Sequence, residues 1–281
     1  MVSLKFLYKV TRIEQCLIVS LSTWLIALLS DGPLWFNQPK IAAGVSMFFS
    51  CLGASLYHYG RRHDVYAKKW YDLVLVNRPM LLILSGTISF CCSIVTAAAF
   101  LPPFCTWIAI ANFMIIMLYA NFLDQYWPFK NIAIALVCVT PIIMGWYSGH
   151  RLHPIVPFLI AAIFCAYLAR EILKDIQDRS ANHGKRFTMV MSIGITASQR
   201  IAAALLSLAA LFLIGGLVPL VDSSSIVLTI IAIPYLWGIF LLFRYARYLL
   251  APAPIAHQYR TIDFGMLALM ISTLGLRVLL H

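Results

Sequence analysis

Apolar runs dominate this chain, and they recur at a length that suits one crossing of a bilayer. A spanning helix needs about 20 mostly apolar residues. Nine segments approach that: Ile13 to Leu29, Ile41 to Tyr57, Met80 to Phe100, Phe104 to Phe122, Ile132 to Tyr147, Ile155 to Ala169, Ile201 to Leu220, Ile226 to Phe243 and Ile262 to Leu280. The breaks between them carry turn chemistry, as at Asp31-Gly32-Pro33, Pro102-Pro103, Gly149 to Pro154, and Pro252 with Pro254. The pattern predicts an all-α polytopic membrane protein with nine transmembrane helices in a single membrane domain over residues 1–281. Two connections are longer and more charged than the rest, at about 57–79 and about 170–199.

Composition agrees. Hydrophobic residues make up 62% of the chain and charged residues 11%, and the mean hydropathy is +0.88, which excludes an ordinary soluble domain. No polar block is long enough to fold separately. The cysteines fall almost entirely inside apolar runs without metal-ligand spacing, so they read as small buried hydrophobes. The first apolar run lacks a small-residue cleavage site, and no cleavable signal peptide is expected.

Charge sets the orientation. With nine spans, the amino terminus and the loops after the even-numbered helices share one face, which carries 18 Lys and Arg against 3 elsewhere. That asymmetry predicts a cytoplasmic amino terminus and a carboxy terminus on the opposite side, as in a multi-pass protein of a cell inner membrane. The net charge of +11 is thereby concentrated on one face, suited to anionic headgroups or a phosphorylated substrate. Nucleic acid is a poor partner, because the basic residues are scattered over short loops.

Residues Arg170 to Asp178 form the densest charge cluster, placed where the sixth span leaves the hydrocarbon. Ionised groups at that depth need a partner, a metal or a ligand. Glu171, Asp175 and Asp178 follow an i, i+4, i+7 spacing and are expected on one helical face, where they can hold a divalent cation.

Arg170-Glu171-x-x-Lys174-Asp175-x-x-Asp178, with Gly184, Thr188 and Gly194 after it, resembles the second Asp-rich motif of the UbiA-type intramembrane prenyltransferases, closest to their archaeal ether-lipid branch. Asn77-Arg78-Pro79 with Ser85-Gly86 is similar to the stretch after that family's first motif. Leu118-Tyr119 and Lys130-Asn131 resemble a segment after helix 4. The resemblance implies a nine-helix bundle with a lipid-facing central cavity. It also implies transfer of an isoprenyl group from a diphosphate donor to a small aromatic or lipid acceptor, with Mg²⁺ as cofactor. On this reading Glu171, Asp175 and Asp178 are the metal set, and Asp175, Asp178 and Lys174 are the catalytic set.

The first motif departs from the family. Where acids are expected, the chain has Tyr57, His58, Tyr59, Gly60, Arg61, Arg62, His63, Asp64 and Val65, so His58, Arg61 and Val65 take the acidic positions, or a one-residue shift restores Asp64 alone. After helix 4, Tyr119 is followed by Leu123 and Asp124 where a basic residue is expected. A compensated charge swap is therefore expected, with Arg61 or Arg62 pairing with Asp124. A third departure is Asn182, where an acid is expected after Asp178.

Fixed cations can replace a metal's charge on phosphate. In an active transferase with one metal site, Arg61, Arg62, Lys68, Lys69, Arg78, Lys185 and Arg186 are the expected phosphate contacts. Tyr57, His58, Asn77, Tyr119, Asp124, Tyr167 and Arg170 are expected to line the substrate pocket, with Tyr119 and Tyr167 offering ring faces to an allylic cation. Two alternatives remain open at this point: a catalytically reduced lipid-binding protein, and a transporter.

Overall fold

A computed structural model describes residues 11–29, 37–61, 79–149, 154–178, 187–217 and 226–250. Among them the secondary structure is helical apart from one isolated bridge between Tyr126 and Phe187. The helices are α1 (Ile13–Leu29), α2 (Gln38–Arg61), α3 (Pro79–Phe100), α4 (Pro103–Asn121), α5 (Phe129–Ser148), α6 (Val156–Gln177), the short α7 (Met189–Ile193), α8 (Ile195–Leu217) and α9 (Ile226–Leu250), with a 3-10 turn at Leu123–Gln125. Among the described residues, six helices are long and apolar enough to cross a membrane, namely α2 to α6 and α8. The first eight predicted spans each coincide with a helix; the ninth, Ile262 to Leu280, lies outside the described residues.

Prolines fix several helix starts. Pro79 opens α3, Pro103 opens α4, and Pro157 lies in the first turn of α6, where a missing N–H costs nothing. Two helices run further than their apolar cores. The second extends to Arg61, and the sixth continues from Ala169 to Gln177 because Arg170, Glu171, Leu173 and Lys174 are all good helix formers. Inside α5, Pro141 cannot donate to the carbonyl of Val137, and the hydroxyl of Thr140 donates to that oxygen instead, at 2.7 Å. Backbone polarity in a lipid-facing helix must be satisfied internally, and a neighbouring Thr does so here.

The chain divides into two compact units, and each is described by itself: residues 1–122 with 144–150, and residues 123–143 with 151–281. In the first, α2 packs on α1, α3 and α4. Its buried face is made of small residues, including Ala43, Ser46, Ser50 and Gly53, while Leu84, Ile88 and Val95 of α3 point outward. Small-inside and large-outside is the packing expected where lipid is the solvent, since close backbone approach supplies the attraction. A methyl at Gly86 would lie 2.7 Å from the backbone nitrogen of Tyr57 and 3.0 Å from the carbonyl oxygen of Gly53. Polar pairs tie α2 to both neighbours: Asn112 of α4 donates to Ser50 Oγ at 2.6 Å, and Ser46 donates to the carbonyl of Ser93 in α3 at 3.0 Å.

In the second unit α8 packs on α6, on α9 and on α7, and α7 also packs on α6. Gly194 separates α7 from α8 with φ +83° and ψ 167°, a region essentially reserved for glycine.

Candidate functional site

The charged stretch that ends α6 divides by helical periodicity. Glu171 and Asp175, one turn apart, are buried at 2% exposure each, whereas Lys174 and Asp178 are exposed. Of the three carboxylates expected on one face, two are thus buried, while Asp178 caps the helix after Gln177 and is exposed. Among the described residues no group of three His, Cys, Asp or Glu is gathered for a metal. Lys174, expected to be catalytic, faces outward with Asp178.

Each buried carboxylate has a basic partner. The Lys130 ammonium donates to Asp175 Oδ1, with both side chains almost fully buried. Arg170 Nη1 donates to Glu171 Oε1 at 2.9 Å and lies over the Tyr167 ring, 5.9 Å from its centroid. Asn131 stands beside the same Asp175 carboxylate. The cluster is thus formally neutral, with two acids and two bases.

Its placement is costly in another way. Asp175 is in the last turn of α6 and Lys130 in the first turn of α5, and the helix macrodipole disfavours an acid at a carboxy terminus and a base at an amino terminus. Neither charge helps its own helix. The connection before α5 holds Lys130 in position: Phe187 N–H donates to the Gln125 carbonyl at 3.2 Å and Trp127 N–H donates to the Phe187 carbonyl at 3.3 Å. The chain returning from the loop after α6 is thereby stitched to the turn four residues before Lys130.

Several buried acceptors in this cluster lack a hydrogen-bond donor among the described residues: Asp175 Oδ2, Glu171 Oε2 and Asn131 Oδ1, and with them Thr188 Oγ1 at the start of α7. The first three are oxygens that only accept. Such a set fits a hard cation like Mg²⁺, which takes oxygen ligands and needs one or two carboxylates when phosphate supplies the rest.

The other expected pocket residues are described unit by unit. In the first unit, Tyr57 is buried, and its phenol oxygen accepts from Asn121 Nδ2 at 3.2 Å. The His58 and Tyr119 rings pack at 5.3 Å between centroids. Arg61 ends α2 and is exposed, while Asp124 is buried in the 3-10 turn of the second unit. Arg62, Lys68, Lys69, Asn77, Arg78, Lys185 and Arg186 lie outside the described residues. Lys130 was legible only as a motif match and a topogenic charge. A base directly ahead of an apolar run is the signal that marks it as a partner for an acid.

Residues 75–256, more than half of the chain, match the UbiA prenyltransferase family, and the chain belongs to that family. It is an integral, multi-pass membrane protein. It is 27% identical over 247 residues to digeranylgeranylglyceryl phosphate synthase of Methanoregula boonei, covering 82% of this chain and 77% of that one. Its fold is similar to that of a solved digeranylgeranylglyceryl phosphate synthase, with a TM-score of 0.75 at 17% identity over 96% of this chain and 97% of that chain. It is also similar to a UbiA homolog from Archaeoglobus fulgidus bound to DMAPP and Mg²⁺, with a TM-score of 0.71 at 16% identity over 97% of this chain and 98% of that chain.

Proposed function

We infer that this protein transfers an isoprenyl group from a prenyl diphosphate to a lipophilic acceptor, a small aromatic or a lipid, within the membrane. The observation that carries this reading is the buried cluster at the end of α6, where Asp175 and Glu171 each keep one carboxylate oxygen without a donor. Glu171 and Asp175 would hold one Mg²⁺, with Asp178 at the outer edge. When bound, the ion supplies charge neutralisation for the departing diphosphate.

The chain's own residues do the remaining work. Lys130 and the basic residues Arg61, Arg62, Lys68, Lys69, Arg78, Lys185 and Arg186 bind and orient phosphate oxygens, compensating for acids absent from the first motif. Tyr119 and Tyr167 present aromatic faces to a developing allylic cation. The apolar helices, nine of them in one membrane domain, exclude water from the reactive carbon, and the phosphate end opens to the cytoplasm, the side of the amino terminus.

Transfer of a radiolabelled prenyl group in membranes, with and without Mg²⁺, tests this reading. Product that depends on Asp175 is expected. A second reading, lipid binding without catalysis, draws on the lack of any acid from Tyr57 to Arg61. Absence of transfer from every donor, with function intact in Asp175→Ala, would establish that alternative.

A further inference from the structure

Lys130 and Asp175 occupy helix ends whose dipoles oppose both charges, so their pairing serves something other than the helices that carry them. Asp175 uses one oxygen on Lys130 and leaves the other without a donor; Glu171 does the same with Arg170. The unpaired oxygens invite a cation. Yet Lys130 and Arg170 already cancel both carboxylate charges, so a divalent ion arriving alone gains little net attraction. A diphosphate arriving alone meets two carboxylates that repel it. Arriving together, the phosphate oxygens take the Lys130 ammonium and the vacated Asp175 carboxylate takes the ion.

We propose that Lys130 is a positioning residue that makes metal binding and diphosphate binding mutually dependent, by holding Asp175 until phosphate oxygens displace it. The inference rests on the donor reading above. It requires that each ligand raise the affinity of the other by one and the same factor, since linkage between binding free energies is reciprocal.

The test uses the full chain in lipid nanodiscs, Mn²⁺ followed by electron paramagnetic resonance, and inorganic pyrophosphate, with free concentrations corrected for their complex in solution. In the wild type, saturating pyrophosphate is expected to tighten Mn²⁺ binding by about tenfold or more, within the range usual for coupled sites. Pyrophosphate should tighten equally when Mn²⁺ is present. In Lys130→Met, Mn²⁺ alone should bind more tightly than in the wild type, and the coupling should fall to within about twofold of unity; Lys130→Arg should retain it. Where Lys130→Met fails to fold, Lys130→Gln, which keeps a hydrogen-bond donor beside Asp175 without the charge, takes its place with the same expected loss of coupling. Binding of both ligands without coupling, or coupling unchanged in Lys130→Met, overturns the inference and leaves the donor reading standing. Failure of the wild type to bind either ligand overturns both.

Discussion

Lys130 and Asp175 lie 45 residues apart in the chain and form a hydrogen-bonded ion pair with almost no exposure, at 3% and 2%. Removing one partner of such a pair strands the other charge, at a cost of about 3–5 kcal/mol, whereas replacing both by apolar residues of similar volume is often neutral or better. Lys130→Met is therefore expected to lower thermal stability in detergent, and Lys130→Met with Asp175→Leu to restore most of it while abolishing metal binding. Equal stability of the single and double variants would show that the two groups do not depend on one another.

Activity should follow the inward and outward division of α6. Asp175→Asn and Glu171→Gln are expected to reduce prenyl transfer by about a hundredfold or more, the scale of losing a preorganised electrostatic contact. Lys174→Ala removes an exposed charge of about 1 kcal/mol, and turnover should stay within about fivefold of the wild type. Initial rates in proteoliposomes rank the three. A Lys174 variant as impaired as the Asp175 variant would place the working face on the other side of the helix.

Gly86→Ala should loosen α3 from α2. The added methyl meets backbone atoms of Tyr57 and Gly53 rather than a flexible side chain, so the helices must separate, at about 1–3 kcal/mol for overpacking. A lower melting temperature is expected; an unchanged one would show that α2 and α3 accommodate the methyl without separating.

Gly194→Ala tests conformation instead of space. Nothing lies within 4 Å of an added methyl there, yet the backbone angles exclude a side chain, and the expected cost is about 1–3 kcal/mol. A D-alanine at this position, introduced by semisynthesis, should restore stability; an L-alanine variant as stable as the parent would mean that the break between α7 and α8 relaxes.

The spans were readable in the sequence because lipid imposes one rule on every residue of a crossing helix, and the first eight predicted segments coincide with helices. The family was readable from Arg170 to Asp178, since charge is rare in such surroundings. Which charges of that stretch are buried was hidden, because spacing places residues on a face without saying what packs against it, and Asp178 is exposed where Glu171 and Asp175 are covered. The Lys130 pairing was hidden for a different reason: nothing local to either residue states which helix end lies across from it. Gly86 stood out as part of a motif, and the close approach to Tyr57 supplies its physical reason.

The bonds that join Gln125 and Trp127 to Phe187 run from backbone to backbone, so they ask nothing of the side chains at those positions. The turn before α5 can therefore change its side chains, proline apart, while the lysine that follows it keeps its registry with the aspartate of α6.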